Sequence, residues 1–338
     1  ILLLPGALYP FAARHLAGER ILFLLNGKKD RKFIAGRRMH PTFDVFDFRK
    51  AARRILIPAS VKRKLMHQFK QIAAEKDEHE LFSRPAFRRW AALRLHKVLR
   101  YIKVLDQTLK KHPVGVIVHY NELDPPGSIL ASLAHKYGLP FMFVQMHLLS
   151  DASVTPARAS RYFVWGTPYK NWLVNKGVAA HRILPTGSML LEPLTKIDRR
   201  RHFSIRDKLR IPANRTVILW TTQSFKRQVN LNLVRWFRSA ARLLPVTIIV
   251  KPHPSDKLDY TKQLRDTNVI LCPSTIRLHE VMHTCDAVAT ISSTTAIEAA
   301  LLGKKLLILQ PHLPYHYYKN YNSFHQHLAK AAAGKVIR

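Results

Sequence analysis

Short runs of aliphatic and β-branched residues alternate with polar, helix-patterned stretches along most of this chain. Ile21-Leu22-Phe23-Leu24-Leu25 is a continuous apolar run of strand length, and Ile1–Leu8 reads as the start of another strand. From about Arg49 to Lys111 the pattern turns helical and strongly basic. Trp90, Leu93, Lys97, Tyr101 and Val104 recur there at helical spacing, with Arg and Lys between them. That stripe fits a helix packed on a sheet with a solvated basic face, and it also fits a surface that docks on anionic lipid. Next come a strand at Val114–His119, a loop at Asn121–Gly127 and a helix at Ser128–Tyr137, which Gly138 closes as a C-terminal cap. Strands at Pro140–Gln145 and Tyr162–Gly166, a helix at Pro168–Lys176 and the Ile183–Ser188 segment complete this half.

Between Thr195 and Arg215 the chain becomes polar, and the domain boundary is expected there, dividing residues 1–195 from 196–338. A second alternation follows. Its strands are Thr216–Trp220, Val246–Val250, Val269–Cys272, Ala287–Ile291 and Lys305–Leu309. Its helices are Asn230–Leu244, Arg277–Thr284 and Thr295–Leu302. Strands alternating with helices predict parallel sheets, so the expected class is α/β with two domains.

Composition narrows this picture. At 338 residues and 47% apolar, the chain has enough material for two cores and is not disordered. Lys and Arg outnumber Asp and Glu by 56 to 21, a formal net charge of +35, which predicts attraction to polyanions. The basic residues are spread widely, and no helix-turn-helix, zinc-finger or RNA-recognition pattern accompanies them. This favours a membrane surface or phosphorylated substrates over specific nucleic-acid binding. Cys272 and Cys285 belong to no CxxC pair, which argues against a disulfide framework or a zinc site and fits a reducing cytoplasm. No apolar run approaches the roughly 18–20 residues that span a bilayer. Ile1–Leu8 lacks the basic leader of a signal peptide.

The chemistry-bearing residues collect where expected strands end. In an open α/β sheet, that edge is where ligands bind. Lys251-Pro252-His253-Pro254 follows one strand, and Ser292-Ser293-Thr294-Thr295-Ala296-Ile297-Glu298 follows another and opens a helix. A helix N-terminus with small hydroxylated residues suits a phosphate, His253 can donate to a phosphate oxygen, and Glu298 can reach ribose hydroxyls. Thr295–Glu298 also matches the S/T-x-x-E capping box, which needs no ligand. Gln223 and Ser224 end the first strand of the second domain. In the first domain, Glu122 and Asp124 follow a strand end, where a carboxylate can act as general base toward an acceptor hydroxyl or cap the next helix. His147, just after another strand, is the alternative base. Asp151 lies close to it in sequence, and His312–Tyr318 bring aromatic and imidazole groups to the last strand end.

In the order and spacing of Glu122, Phe141–His147, Val164-Trp165-Gly166, Gly177-Val178, Thr186-Gly187-Ser188, Lys251–Pro254 and Ser292–Glu298, the chain resembles glycosyltransferases of the two-Rossmann-domain (GT-B) type. It looks closest to the bacterial capsule-polysaccharide and CDP-glycerol glycerophosphotransferase-like branches. Related chains often carry Gln-His-Gly where this one has Gln145-Met146-His147. The resemblance implies two Rossmann-like domains facing across a cleft, with the acceptor on the first and the donor nucleotide on the second. It places His253 and Ser292–Thr295 on donor phosphate and Glu298 on ribose; Lys251, at the same strand end, is a further candidate for that ligand, although alternation along the strand can point it elsewhere. The expected reaction moves a sugar, or a polyol phosphate, from a nucleotide-activated donor to a surface polysaccharide or lipid-linked acceptor. No metal or cofactor is expected, and the enzyme is expected on the inner face of the plasma membrane. Two rivals share some of these features. One is a non-hydrolysing UDP-GlcNAc-type 2-epimerase, and the other a non-enzymatic polyanion-binding protein.

Overall fold

The computed structural model describes residues 1–76, 78–149, 154, 156–189, 191, 203–265, 267, 269–291, 293–309, 311 and 335–337. The chain forms two compact units. The first comprises Ile1–Gln145, Ser153–Val164 and Leu173–Thr186; the second comprises Met146–Ala152, Trp165–Trp172 and Gly187–Arg338. Two short segments from inside the first half of the sequence therefore belong to the second unit. The break expected between 195 and 196 falls within 192–202, outside the described residues.

The first unit holds a parallel sheet of β1 (Leu2–Pro5), β2 (Ile21–Leu25), β3 (Phe43–Asp47), β4 (Val116–His119), β5 (Phe141–Val144), β6 (Arg161–Val164) and β7 (Ile183–Pro185), in the order β3-β2-β1-β4-β5-β6-β7. The second holds β8 (Thr216–Thr221), β9 (Val246–Lys251), β10 (Val269–Leu271), β11 (Ala287–Thr290), β12 (Lys305–Leu309) and β13 (Lys335–Ile337), also parallel, in the order β10-β9-β8-β11-β12-β13. Each order reverses once, at β1/β4 and at β8/β11. This is the Rossmann arrangement, and the crevice beyond the strands' carboxyl ends at each reversal is its ligand-binding place.

Strand composition explains the layering. All five residues of β2 are buried, as a strand covered on both faces must be. In the second sheet, Val217, Leu219, Ile249 and Val288 pack with Val281, Met282, Ala296 and Ala299 from the helices Leu278–Thr284 and Thr295–Leu301. Trp220, Ile248, Val250 and Ala289 instead pack with Val234 and Phe237 of the helix Arg227–Leu243. Neighbours in sequence thus serve opposite faces, which is the period-2 rule of a strand. Phe237 stacks on Trp220 with ring centroids 4.9 Å apart. Such a pair contributes about 0.5–1.5 kcal/mol beyond its buried area.

The basic stretch is helical as expected, in three pieces: Phe48–Arg54, Ala59–Glu75 and Pro85–Lys111. β3 was not legible in the sequence. Phe43-Asp44-Val45-Phe46-Asp47 carries two aspartates, which strands disfavour, and it is tolerated because it lies at the sheet edge with Asp44 and Val45 exposed. No helix among the described residues is long and apolar enough to cross a membrane.

Candidate functional site

Asp256 organises the carboxyl edge of the second sheet. It lies in the loop after β9, and its Oδ2 accepts hydrogen bonds from the Thr222 hydroxyl (2.7 Å), the Tyr260 hydroxyl (2.7 Å) and the Asn230 amide (3.0 Å). Its Oδ1 accepts from the Leu258 N–H at 3.1 Å. Burial, then the neighbouring Asp256, holds the Tyr260 phenol well above its ordinary range, so it remains a donor. Thr222 uses both sides of its hydroxyl: it donates to Asp256 and accepts from the His253 N–H at 2.9 Å. The loops after β8 and β9 are thereby locked together at the strand ends.

This lock sets the His253 ring. Its Nδ1 lies 3.2 Å from the Ser255 N–H, which can only donate, and 2.7 Å from the Ser255 hydroxyl. Nδ1 is therefore the acceptor, and the ring proton sits on Nε2. Ser224 Oγ approaches both Ser255 Oγ and, at 3.4 Å, His253 Nδ1. The exposed imidazole thus presents an Nε2–H donor backed by two serines, a group suited to an anionic oxygen.

Lys251 departs from expectation. Its ammonium donates to the carbonyl oxygens of Pro273 (2.8 Å) and Ile276 (2.5 Å), fastening the loop after β10. Those contacts give the charge a role inside the fold. Gln223 accepts from Asn230 through its backbone carbonyl at 2.9 Å. At the end of β11, Ser292 lies outside the described residues. Ser293 Oγ accepts from the Thr295 N–H at 3.2 Å and lies 2.7 Å from Thr295 Oγ1. Thr294 stands at the N-cap without a side-chain capping bond. Glu298 does not close the capping box that Thr295–Glu298 spells: its Oε2 lies 2.7 Å from Nε2 of His279 on the neighbouring helix. The carboxylate is held in place from one side.

In the first unit, Glu122 and Asp124 share the loop after β4 but differ sharply. Asp124 is exposed and sits in a turn whose N–H groups at Leu123 and Asp124 donate to Asn121 Oδ1 (2.7 and 2.8 Å). Glu122 has no exposed surface; its Oε2 accepts from the backbone N–H groups of Arg158 (2.5 Å) and Ala159 (3.1 Å). Burial raises its carboxyl above the ordinary range against the pull of these bonds. Glu122, expected as a general base, is thus shut off from solvent in this structure, where its carboxylate anchors the 158–159 segment. The same loop fits tightly elsewhere: a Cβ on Gly127 would fall 1.8 Å from the Asn121 carbonyl oxygen and 2.7 Å from His119 Nδ1. His119 is buried and its pKa is pushed down to about 4 by desolvation.

His147 is half-buried, with its pKa lowered by desolvation. It belongs to the second unit, because its neighbour Leu148 is buried in that unit's core with Ile211, Val217 and Ile249. Of the three residues expected to act in catalysis, two share one loop and the third belongs to a different unit. Asp151 and residues 312–318 lie outside the described residues. Among the described residues, no group of three or more His, Cys, Asp or Glu side chains is placed to hold a metal ion.

Several groups of this site escaped sequence reading: Asp256, Asn230, Tyr260, Ser255 and His279. The available signal was Ser255-Asp256, a serine and an acid directly after the His-Pro turn. Asn230 and Tyr260 gave none, since each acts through a partner about 26 or 4 residues away that only folding supplies.

The fold and site together define a protein of two Rossmann-like units, the GT-B architecture. No family model matches the chain, and neither does any curated protein. Solved structures do. MurG of Acinetobacter baumannii matches with a TM-score of 0.59 at 13% identity, over 99% of this chain and 85% of that one. The UDP-GlcNAc 2-epimerase of Methanocaldococcus jannaschii matches with 0.52 at 13% identity, over 98% and 91%. Anabaena HepE, solved in complex with UDP-glucose, matches with 0.52 at 14% identity, over 91% and 80%. At such identities the likeness is one of fold.

Proposed function

We propose that this protein is a nucleotide-sugar-using glycosyltransferase whose second unit binds the nucleotide diphosphate of the donor. The observation that carries the reading is the locked strand-end cluster of Thr222, Asp256, Ser255 and His253, which holds one Nε2–H donor at the edge where Rossmann sheets take ligands. His253 would donate to a phosphate oxygen, and Glu298, steadied by His279, would accept from ribose hydroxyls. Preset donors of this kind stabilise charge that develops on a leaving diphosphate without reorganising during the reaction. The structures solved with UDP and with UDP-glucose among its fold neighbours support this class of ligand. A polyol-phosphate donor is the variant closest to the sequence resemblance, and a polysaccharide or lipid-linked acceptor is the expected second substrate.

Calorimetric titration with UDP, CDP, GDP and ADP at moderate salt tests this. One nucleotide is expected to bind saturably, and His253→Ala, at an exposed position that leaves the core untouched, should weaken it at least about tenfold, the scale of one charge-assisted hydrogen bond. Equal binding of all four that fades with salt and ignores the substitution would overturn the reading. Several 2-epimerases among the fold neighbours favour a second reading. It is tested by incubating UDP-N-acetylglucosamine without an acceptor: appearance of the 2-epimer would replace transfer with epimerisation.

A further inference from the structure

The helix Pro85–Lys111 carries one apolar stripe, but the protein covers only part of it. Positions 90, 93, 97, 101, 104 and 108 follow each other at steps of three and four, so they fall on one face. At the C-terminal end of that face Val104, Leu105, Thr108 and Leu109 are buried, and Tyr101 packs against Phe48 with ring centroids 4.7 Å apart. Toward the N-terminus the same face emerges: Trp90 is 54% exposed and Leu93 79%. A 27-residue helix is about 40 Å long, so its first half continues well past the part that meets the sheet. Trp90 stacks on Phe87 at 5.8 Å, and the Arg94 guanidinium lies 5.7 Å from the Trp90 ring centre. Arg89, Arg94 and Lys97 are all exposed around it.

The surroundings select the occupant. Residues 59–103 contain twelve Lys and Arg against four acids, and those four all lie between Glu75 and Glu80, away from Trp90 and Leu93 in sequence. A second copy of a chain with net charge +35 would be repelled from such a face. Nucleic acid would satisfy the cations but not a Leu93 left open to water. A surface that combines anionic headgroups with acyl chains satisfies both. We propose that the Trp90–Leu93 face, rimmed by Arg89, Arg94 and Lys97, docks this protein on an anionic phospholipid bilayer. Trp90 sits at the headgroup level, where its ring is apolar and its N–H meets water. The assignment stands on this helix alone and does not depend on the nucleotide site.

Co-sedimentation with phosphatidylcholine vesicles, with and without one third phosphatidylglycerol, tests it. Binding is expected only to the anionic vesicles. Replacing Arg94 and Lys97 by Gln should weaken it about fivefold per charge removed. Trp90→Ala with Leu93→Ala should weaken it at least tenfold and leave the circular dichroism spectrum and the thermal midpoint unchanged, since both side chains are exposed. Three results would overturn the proposal: no binding to anionic vesicles, binding that the double alanine variant retains in full, or binding that survives equally on neutral vesicles. Displacement of the protein from vesicles by duplex RNA, with RNA binding untouched by the Trp90 and Leu93 substitutions, would show an indiscriminate polyanion surface instead.

Discussion

His253 and Lys251 are two residues apart and meet opposite fates. The histidine is turned outward by hydrogen bonds from Ser255, while the lysine reaches back to the carbonyls of Pro273 and Ile276. The motif was visible in the sequence, but the division of labour was not, because it depends on a loop more than twenty residues downstream. Glu298 and Glu122 teach the same lesson: each reads as a functional carboxylate, and folding gives one a histidine partner and the other a fully buried seat. His119 allows a test at this scale. Its folded pKa of about 4 lies below the ordinary 6.5, so between those values the unfolded chain holds a proton that the folded chain refuses. Its contribution to stability is therefore complete above pH 6.5 and shrinks as the pH falls toward 4, by on the order of 3 kcal/mol in all. Urea unfolding at pH 7.5 and pH 5 should show His119→Asn losing less stability on acidification than the parent. Equal losses would mean that His119 is not held neutral by burial.

Among the elements, the mostly apolar strands were the most legible and the amphipathic edge pieces the least. β2, β9 and β11 announce themselves because a strand covered on both faces is built largely of aliphatic and β-branched residues. β3 hides because two aspartates, one of them exposed, interrupt its apolar residues. Thr295–Glu298 reads equally as a capping box and as a phosphate site, and in the helix Thr295–Leu301 the box is not closed, since Glu298 meets His279 on the adjacent helix. The start of the helix Gly127–Lys136 is set by a contact that no periodicity reveals, the approach of Gly127 to the Asn121 carbonyl. Gly127→Ala should therefore destabilise the protein by about 3 kcal/mol or more, the upper range of overpacking. Gly115→Ala, where an added Cβ meets nothing within 4 Å, should change stability little. Denaturant unfolding of the two variants checks this, and similar costs at both sites would refute it.

For the whole molecule, charge is the dominant quantity. A net +35 on a folded chain of this size repels itself, and folding concentrates that repulsion. Raising the ionic strength from 0.01 M to 0.15 M shortens the screening length from about 30 Å to about 8 Å, so the thermal midpoint should rise by a few degrees over that interval. Scanning calorimetry in sodium chloride measures it. A midpoint that is flat or falling would mean that ion pairs such as Asp106 with Lys110 and Lys136, which salt weakens, outweigh the repulsion. Asp106 already feels these partners: hydrogen bonds from Lys110 and Tyr137 hold its carboxyl down at about 2.

The α/β class and the positions of most strands and helices were determined by the sequence alone, because hydrophobic periodicity is a local property that each segment carries without its neighbours. The location of the candidate chemistry at strand ends followed from the same reading, since it needs only the boundary between apolar and polar residues. Tertiary structure decided which residues act together. It set the strand order that creates a reversal at β8/β11, drew 146–152 and 165–172 into the second unit, and joined Asp256 to Thr222, Asn230 and Tyr260. Those choices depend on contacts between segments far apart in the chain, and hydrogen-bond partners and burial exist only once those segments have met.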